Sequence, residues 1–158
     1  MMKRFSLYII IGVALLLSGC NKDNNPDNGH LEGFWQMTSA MNMLSSTMAG
    51  SDMRDSGITW SFQGYILELR DVKKVNQDIV ASFEHNGDEL KLSKFYFVDR
   101  DEGDRLIEDT EENVATYLMP YGINSASEQL YYIEELTSNK MVLLGKDRYA
   151  IRLEFRKY

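Results

Sequence analysis

An all-β fold is what this sequence predicts: an antiparallel up-and-down, eight-stranded barrel with one short helix. Three observations predict it. From Leu31 to the end of the chain, apolar and polar side chains alternate with period two, the mark of half-buried strands. The alternating runs are separated by short turn-forming segments such as His85-Asn86-Gly87-Asp88. Helix-like spacing is confined to Glu111–Met119 and a few residues after Met41. A two-sheet sandwich is the structural rival.

The first residues set the address of the chain rather than its fold. Phe5 to Leu17 is apolar apart from Ser6 and Gly12, follows Lys3 and Arg4, and is too short to span a bilayer comfortably. Leu17-Ser18-Gly19-Cys20 closes it, with small residues before the cysteine. This arrangement resembles a bacterial lipoprotein signal: residues 1–19 are the signal peptide, and the mature chain begins at Cys20 with lipid on its sulfur. At roughly 0.8 kcal/mol per buried methylene, two or more acyl chains make attachment effectively permanent. Residues 20–30 are polar, rich in Asn and Asp, and read as a flexible tether. Lys22-Asp23 partly resembles the acidic export signal of Bacteroidetes surface lipoproteins, so the cell envelope is the expected location. The outer membrane is favoured, with its face left open.

Cys20 is the single cysteine, so no intramolecular disulfide forms and stability must come from a packed core. Removing 19 of the 158 residues leaves 139, enough for one domain, the barrel of residues 31–158. Lys3 and Arg4 leave with the signal, so 17 basic residues fall to 15 against 24 acidic ones. Such an acidic chain is a poor partner for nucleic acid or anionic lipid, and a monomer is expected.

Each strand follows from its pattern. Leu31-Glu32-Gly33-Phe34-Trp35-Gln36-Met37 opens the domain. Trp60 and Phe62 flank Ser61, and a turn at Gln63-Gly64 leads to Tyr65, Leu67 and Leu69. Ile79, Ala81 and Phe83 precede the Asn-Gly hairpin, and Leu90 and Leu92 follow it. Tyr131–Leu136 and Met141–Leu144 are joined by a four-residue turn, Thr137 to Lys140. The last strand puts Tyr149, Ile151, Leu153 and Phe155 on one face and Arg152, Glu154 and Arg156 on the other, so a one-residue slip would bury charge. Met41–Gly57 breaks the alternation and reads as a long loop holding one or two helical turns. Glu111–Met119 reads as a short helix, with acids in its first turn, Pro120 just past its end, and Val114, Tyr117 and Leu118 facing the body.

Gly33-x-Trp35 at the head of the first strand, the long loop after it, and the ending Leu153-Glu154-Phe155-Arg156 together resemble the lipocalin-like lipoproteins of Bacteroidetes, of the calycin barrel type. The resemblance implies an internal cup for a small, mostly apolar molecule. It also implies a basic residue of the last strand lying across Trp35, with Arg152 and Arg156 as the candidates. The family's middle motif is not found, and the helix after Asp109 falls between strands.

An eight-stranded barrel is wide enough either to be filled by side chains or to hold one small ligand. The candidate ligand-binding residues are Trp35, Met37, Met41, Met48, Trp60, Phe62, Tyr65, Phe83 and Tyr149. The first strand, its Met-rich loop and the aromatic inward positions supply them, since thioethers adapt to irregular apolar shapes. If the interior is filled instead, Tyr96, Tyr121, Tyr131 and Tyr132 are numerous enough for an exposed aromatic patch toward a protein or glycan partner.

Catalytic chemistry finds no footing. Asp99–Asp104 resembles a calcium loop, but its glycine is one place early and Thr110 stands where a bidentate Glu belongs. His30 and His85 are the two histidines and have no cysteine partner for a metal. No G-x-S-x-G occurs, and Glu111-Glu112 and Glu134-Glu135 are adjacent, so each pair diverges. No enzyme activity, cofactor or metal is expected. The expected partner is a small hydrophobic ligand, beside the membrane reached through Cys20.

Overall fold

The computed structural model describes residues 28–43, 50–147 and 150–158. The expectations placed on the signal segment, Cys20, Met48 and Tyr149 lie outside them. Among the described residues, ten strands form one antiparallel sheet: β1 (Gly33–Asn42), β2 (Gly50–Asp52), β3 (Ile58–Gln63), β4 (Ile66–Asp71), β5 (Ile79–Asn86), β6 (Glu89–Phe97), β7 (Arg105–Leu106), β8 (Glu128–Leu136), β9 (Lys140–Gly145) and β10 (Ile151–Lys157). Eight of them close into a barrel in the order β1, β3, β4, β5, β6, β8, β9, β10, and β10 returns to β1. β2 pairs with β1, and β7 with the last residues of β6. The expected up-and-down barrel is therefore present, and the sandwich is not.

Closure depends on the seam between the first and last strands. Trp35 lies opposite Lys157, Met37 opposite Phe155 and Ala40 opposite Leu153. The register slips between Met37 and Ser39, where Thr38 gives its hydroxyl to the Glu154 carbonyl. A bulge of this kind moves every later residue to the opposite face. Trp35 and Met37 thus point inward, and beyond the bulge the inward position passes to Ala40. The long loop expected from Met41 is shorter than the sequence suggests. β1 runs on to Asn42, and Gly50–Asp52 pairs back on it.

The two ends of the barrel are closed differently. At the floor, a 3-10 turn (Gly29–Leu31) crosses the opening and buries Leu31. Asn28 anchors it, donating through Nδ2 to the Gly64 carbonyl at 2.7 Å and to the Glu32 carboxylate at 2.8 Å. At the mouth lies a helical segment: α1 (Glu111–Asn113), a π-helical turn (Val114–Leu118) and a 3-10 turn (Met119–Tyr121). Thr110 caps it, its hydroxyl accepting from the Asn113 amide at 3.2 Å. Pro120 sits inside this segment rather than beyond it, because an opening position of a 3-10 turn does not need its N–H.

The barrel's outer wall is polar and crossed by ion pairs such as Lys91 with Glu84 at 2.8 Å and Arg152 with Glu134 at 2.8 Å. Exposed pairs of this kind contribute at most about 1 kcal/mol each. Stability comes from the interior, which is aromatic and aliphatic throughout.

Candidate functional site: an aromatic interior under a helical cap

The centre of the barrel is a chain of rings. Trp60 lies 5.0 Å from Phe155, 5.9 Å from Tyr131 and 6.0 Å from Phe62, centroid to centroid. Phe62 in turn meets Phe83 edge-on at 5.0 Å. All five are buried. Such tilted and edge-to-face contacts match the positive ring edge to a neighbour's negative face.

Buried polar atoms on these rings have partners, with one exception. Trp35 Nε1 donates to the Leu31 carbonyl at 2.7 Å. Tyr131 donates to the Gly122 carbonyl at 2.7 Å and Tyr121 to the Gln77 carbonyl at 2.9 Å. Trp60 Nε1 is buried and has no acceptor among the described residues. Burial, and secondarily the Asp147 charge, pushes the Tyr131 phenol well above its ordinary pKa. Burial, aided by Asp78 and Asp71, raises Tyr121. Both therefore stay protonated and act as donors over the physiological pH range.

The cap closes the mouth with its own side chains. Leu118, Tyr121 and Ile123 are fully buried, and Tyr117 packs edge-on against Phe97 at 4.7 Å. Gly122 takes φ 83°, and a Cβ there would lie 2.7 Å from both Leu153 methyls, so only glycine fits this crossing. Beyond it, Gln129 spans the exit of the cap. Its Oε1 accepts from the Asn124 amide at 2.9 Å, and its Nε2 donates to Asp147 at 2.8 Å. A cleft of about 570 Å³ lies on the outer side of the cap, between Thr110-Glu111 and Asn124-Ser125.

On the floor, Lys157 Nζ sits 4.9 Å above the Trp35 ring and donates to the His30 carbonyl at 2.8 Å. The basic residue across the tryptophan is thus Lys157 rather than Arg152 or Arg156. Those two lie outward, Arg152 on Glu134 and Glu154 and Arg156 on Gln36. Lys157 shares the parity of Leu153 and Phe155, which is why it reaches the ring.

Of the residues singled out from sequence, Trp35, Met37, Trp60, Phe62 and Phe83 come together in the interior. Tyr65 does not: it occupies the β3–β4 turn and is 58 % exposed, because β4 takes up alternation only at Ile66. Met41 lies beyond the bulge, opposite Arg152, with its methyl over Gly50 of β2, so it faces away from the rings. Tyr131, Phe155 and the cap residues Leu118, Tyr121 and Ile123 complete the enclosure and were not among the candidates. Tyr121 and Tyr131, offered as members of an outer patch, are buried, whereas Tyr132 is 43 % exposed. The doubled tyrosine hides which of the pair points inward. Parity with Gln129 and Ile133 is the signal that selects Tyr131.

A barrel with Gly33-x-Trp35 at its floor and a cation across that ring narrows the family. The family model for a lipocalin-like domain matches residues 15–158. The chain belongs to the lipocalin-like domain family. Two solved structures share this lipocalin-like fold. One is a lipocalin-like protein from Bacteroides uniformis ATCC 8492, at 16 % identity and TM-score 0.54, covering 82 % of this chain and all of that one. The other is an uncharacterized protein from Bacteroides eggerthii DSM 20697, at 19 % identity and TM-score 0.51, covering 81 % of this chain and 99 % of that one. Comparison with curated proteins finds no match. Membership of a lipocalin-like family suggests ligand binding in general, and such barrels typically bind rather than catalyse.

Proposed function

We propose that this protein is an envelope lipoprotein, held at the outer membrane by acyl chains on Cys20, whose barrel binds a small hydrophobic or amphiphilic molecule. The observation that carries this reading is the Trp60 indole N–H. A buried donor without an acceptor costs about 1–3 kcal/mol, so its retention calls for an explanation. Ringed by Phe62, Tyr131 and Phe155, it offers one polar handle in an apolar enclosure. That is the chemistry suited to a ligand that is mostly apolar with a single acceptor, such as a carboxylate or carbonyl oxygen. The rings fill the space and the cap covers it, so entry requires the cap to move and Trp60 to turn. The reading assigns no reaction to the protein.

Titration with fatty acids, bile-acid-like amphiphiles and haem tests it through intrinsic fluorescence. A saturable response is expected, and Trp60→Phe should abolish most of it and weaken binding at least about tenfold, the loss of one good hydrogen bond in a dry site. No response from natively folded protein across the panel would sink it.

The same packing favours a second reading, a filled barrel that serves as a non-catalytic scaffold for an envelope protein or glycan. In that case protein isolated from its own host carries no small-molecule mass in native mass spectrometry, and Trp60→Phe leaves partner capture unchanged.

A further inference from the structure

Four large apolar side chains crowd one side of the barrel floor. Phe34 is 55 % exposed, Tyr65 58 %, Ile66 56 % and Tyr158 76 %. The backbone places them together. The Tyr158 amide donates to the Phe34 carbonyl at 3.0 Å, and Tyr65 and Ile66 follow Gly64, whose carbonyl holds Asn28. They therefore surround the point where the described chain begins.

We propose that this surface rests on the lipid bilayer, docking the barrel floor-down through Phe34, Tyr65, Ile66 and Tyr158. The inference depends on the reading of Cys20 as the lipid-bearing residue. Asn28 lies eight residues after Cys20, and at full extension eight residues reach only about 28 Å. A lipid on Cys20 keeps the floor near the membrane, while the cap and the mouth lie at the opposite end of the barrel.

Single exposed apolar residues are ordinary on a soluble protein, so the grouping is what matters. The other turns of the floor, His85–Asp88 and Thr137–Lys140, carry polar or charged side chains. The apolar side is the side where the tether enters. Tyrosine and phenylalanine suit the headgroup boundary, with an apolar body below and, for tyrosine, a hydroxyl in the wet layer. Nearby charge is favourably placed. Glu32 is satisfied by Asn28 and by the Gly64 amide at 3.0 Å, and Lys157 stands beside the patch on the His30 carbonyl. The ion-paired outer wall fits a body lying on the membrane rather than across it. Ligand exchange would then proceed from the aqueous side, through the cap.

The test uses lipidated full-length protein in phosphatidylethanolamine–phosphatidylglycerol vesicles. With Cys20 acylated, Ile66→Cys or Val75→Cys supplies a single thiol for an environment-sensitive dye. Val75 is 81 % exposed in the β4–β5 connection at the mouth. The Ile66→Cys label should shift to shorter wavelength on reconstitution and be quenched by acyl-brominated lipid, and the Val75→Cys label should do neither. A wet Ile66→Cys label on protein whose N-terminal peptide carries the acyl mass overturns the docking proposal alone. An N-terminal peptide without that mass overturns the anchor reading and the docking with it.

Discussion

At the scale of single residues, Asp71 shows how one buried carboxylate organises a turn. It is almost fully buried, and its oxygens accept from the Lys73 amide at 2.8 Å, the Val75 amide at 3.1 Å, and the Asn76 amide and side chain, both at 2.9 Å. Burial alone would raise its pKa, but the donors at Asn76, Lys73 and Val75 outweigh it and hold the group below its ordinary value of 3.8. Because the folded value is lowered, the stabilisation is complete above the ordinary value and is lost as pH falls through the folded one. Asp71→Asn turns an amide group toward these donors and should cost about 1–3 kcal/mol at neutral pH. Urea unfolding across the acid range should show the stability difference between wild type and variant shrinking as pH falls through the folded value of Asp71. Parallel curves would show that another carboxylate governs the acid limb.

At the scale of elements, the Asp71 turn and the helical cap form one mechanical unit. The turn sets the Gln77 carbonyl that receives the Tyr121 hydroxyl, and Tyr131 and Gln129 hold the far side of the cap. π-helical turns recur at functional sites, where the extra residue loosens the regular ladder. The cap is therefore the element expected to open first. Tyr121→Phe removes one fastening worth about 1 kcal/mol. Hydrogen exchange should then quicken in residues 114–124 with the wall strands unchanged, and ligand uptake should accelerate. Unaltered protection in the cap would mean that its packing, led by Leu118 and Ile123, holds it without the hydroxyl.

At the scale of the whole molecule, everything hangs on the seam between β1 and β10. Closure removes the free edges that an open antiparallel sheet would present. It also brings Phe155 to Trp60 and Lys157 to Trp35. Ending the chain before Ile151 should free the β10-facing edges of β1 and β9 and uncover both tryptophans. Such a chain is expected to show no cooperative thermal transition and no near-UV circular dichroism. A retained sharp transition would place the folding unit in the other seven strands.

Alternation alone was enough to name the fold class and most inward positions, because period two maps directly onto the two faces of a strand. Ile79, Ala81 and Phe83, or Leu90 and Leu92, could be placed without coordinates. The Thr38 bulge that sends Met41 outward was not legible, since it shifts parity by one residue without leaving a local signal. The Gln63-Gly64 turn was legible, but not that it takes in Tyr65, which shares the parity of Leu67 and Leu69 and is exposed because it lies in the turn rather than in β4. Lys157 could be assigned to Trp35 only once the register across the seam was known. That the helical segment plugs the mouth was decided by tertiary structure. Leu118 could be turned toward the body from its place in the short helix, but Tyr121 and Ile123 lie past the predicted end of that helix, and what they bury depends on strands far away in the chain.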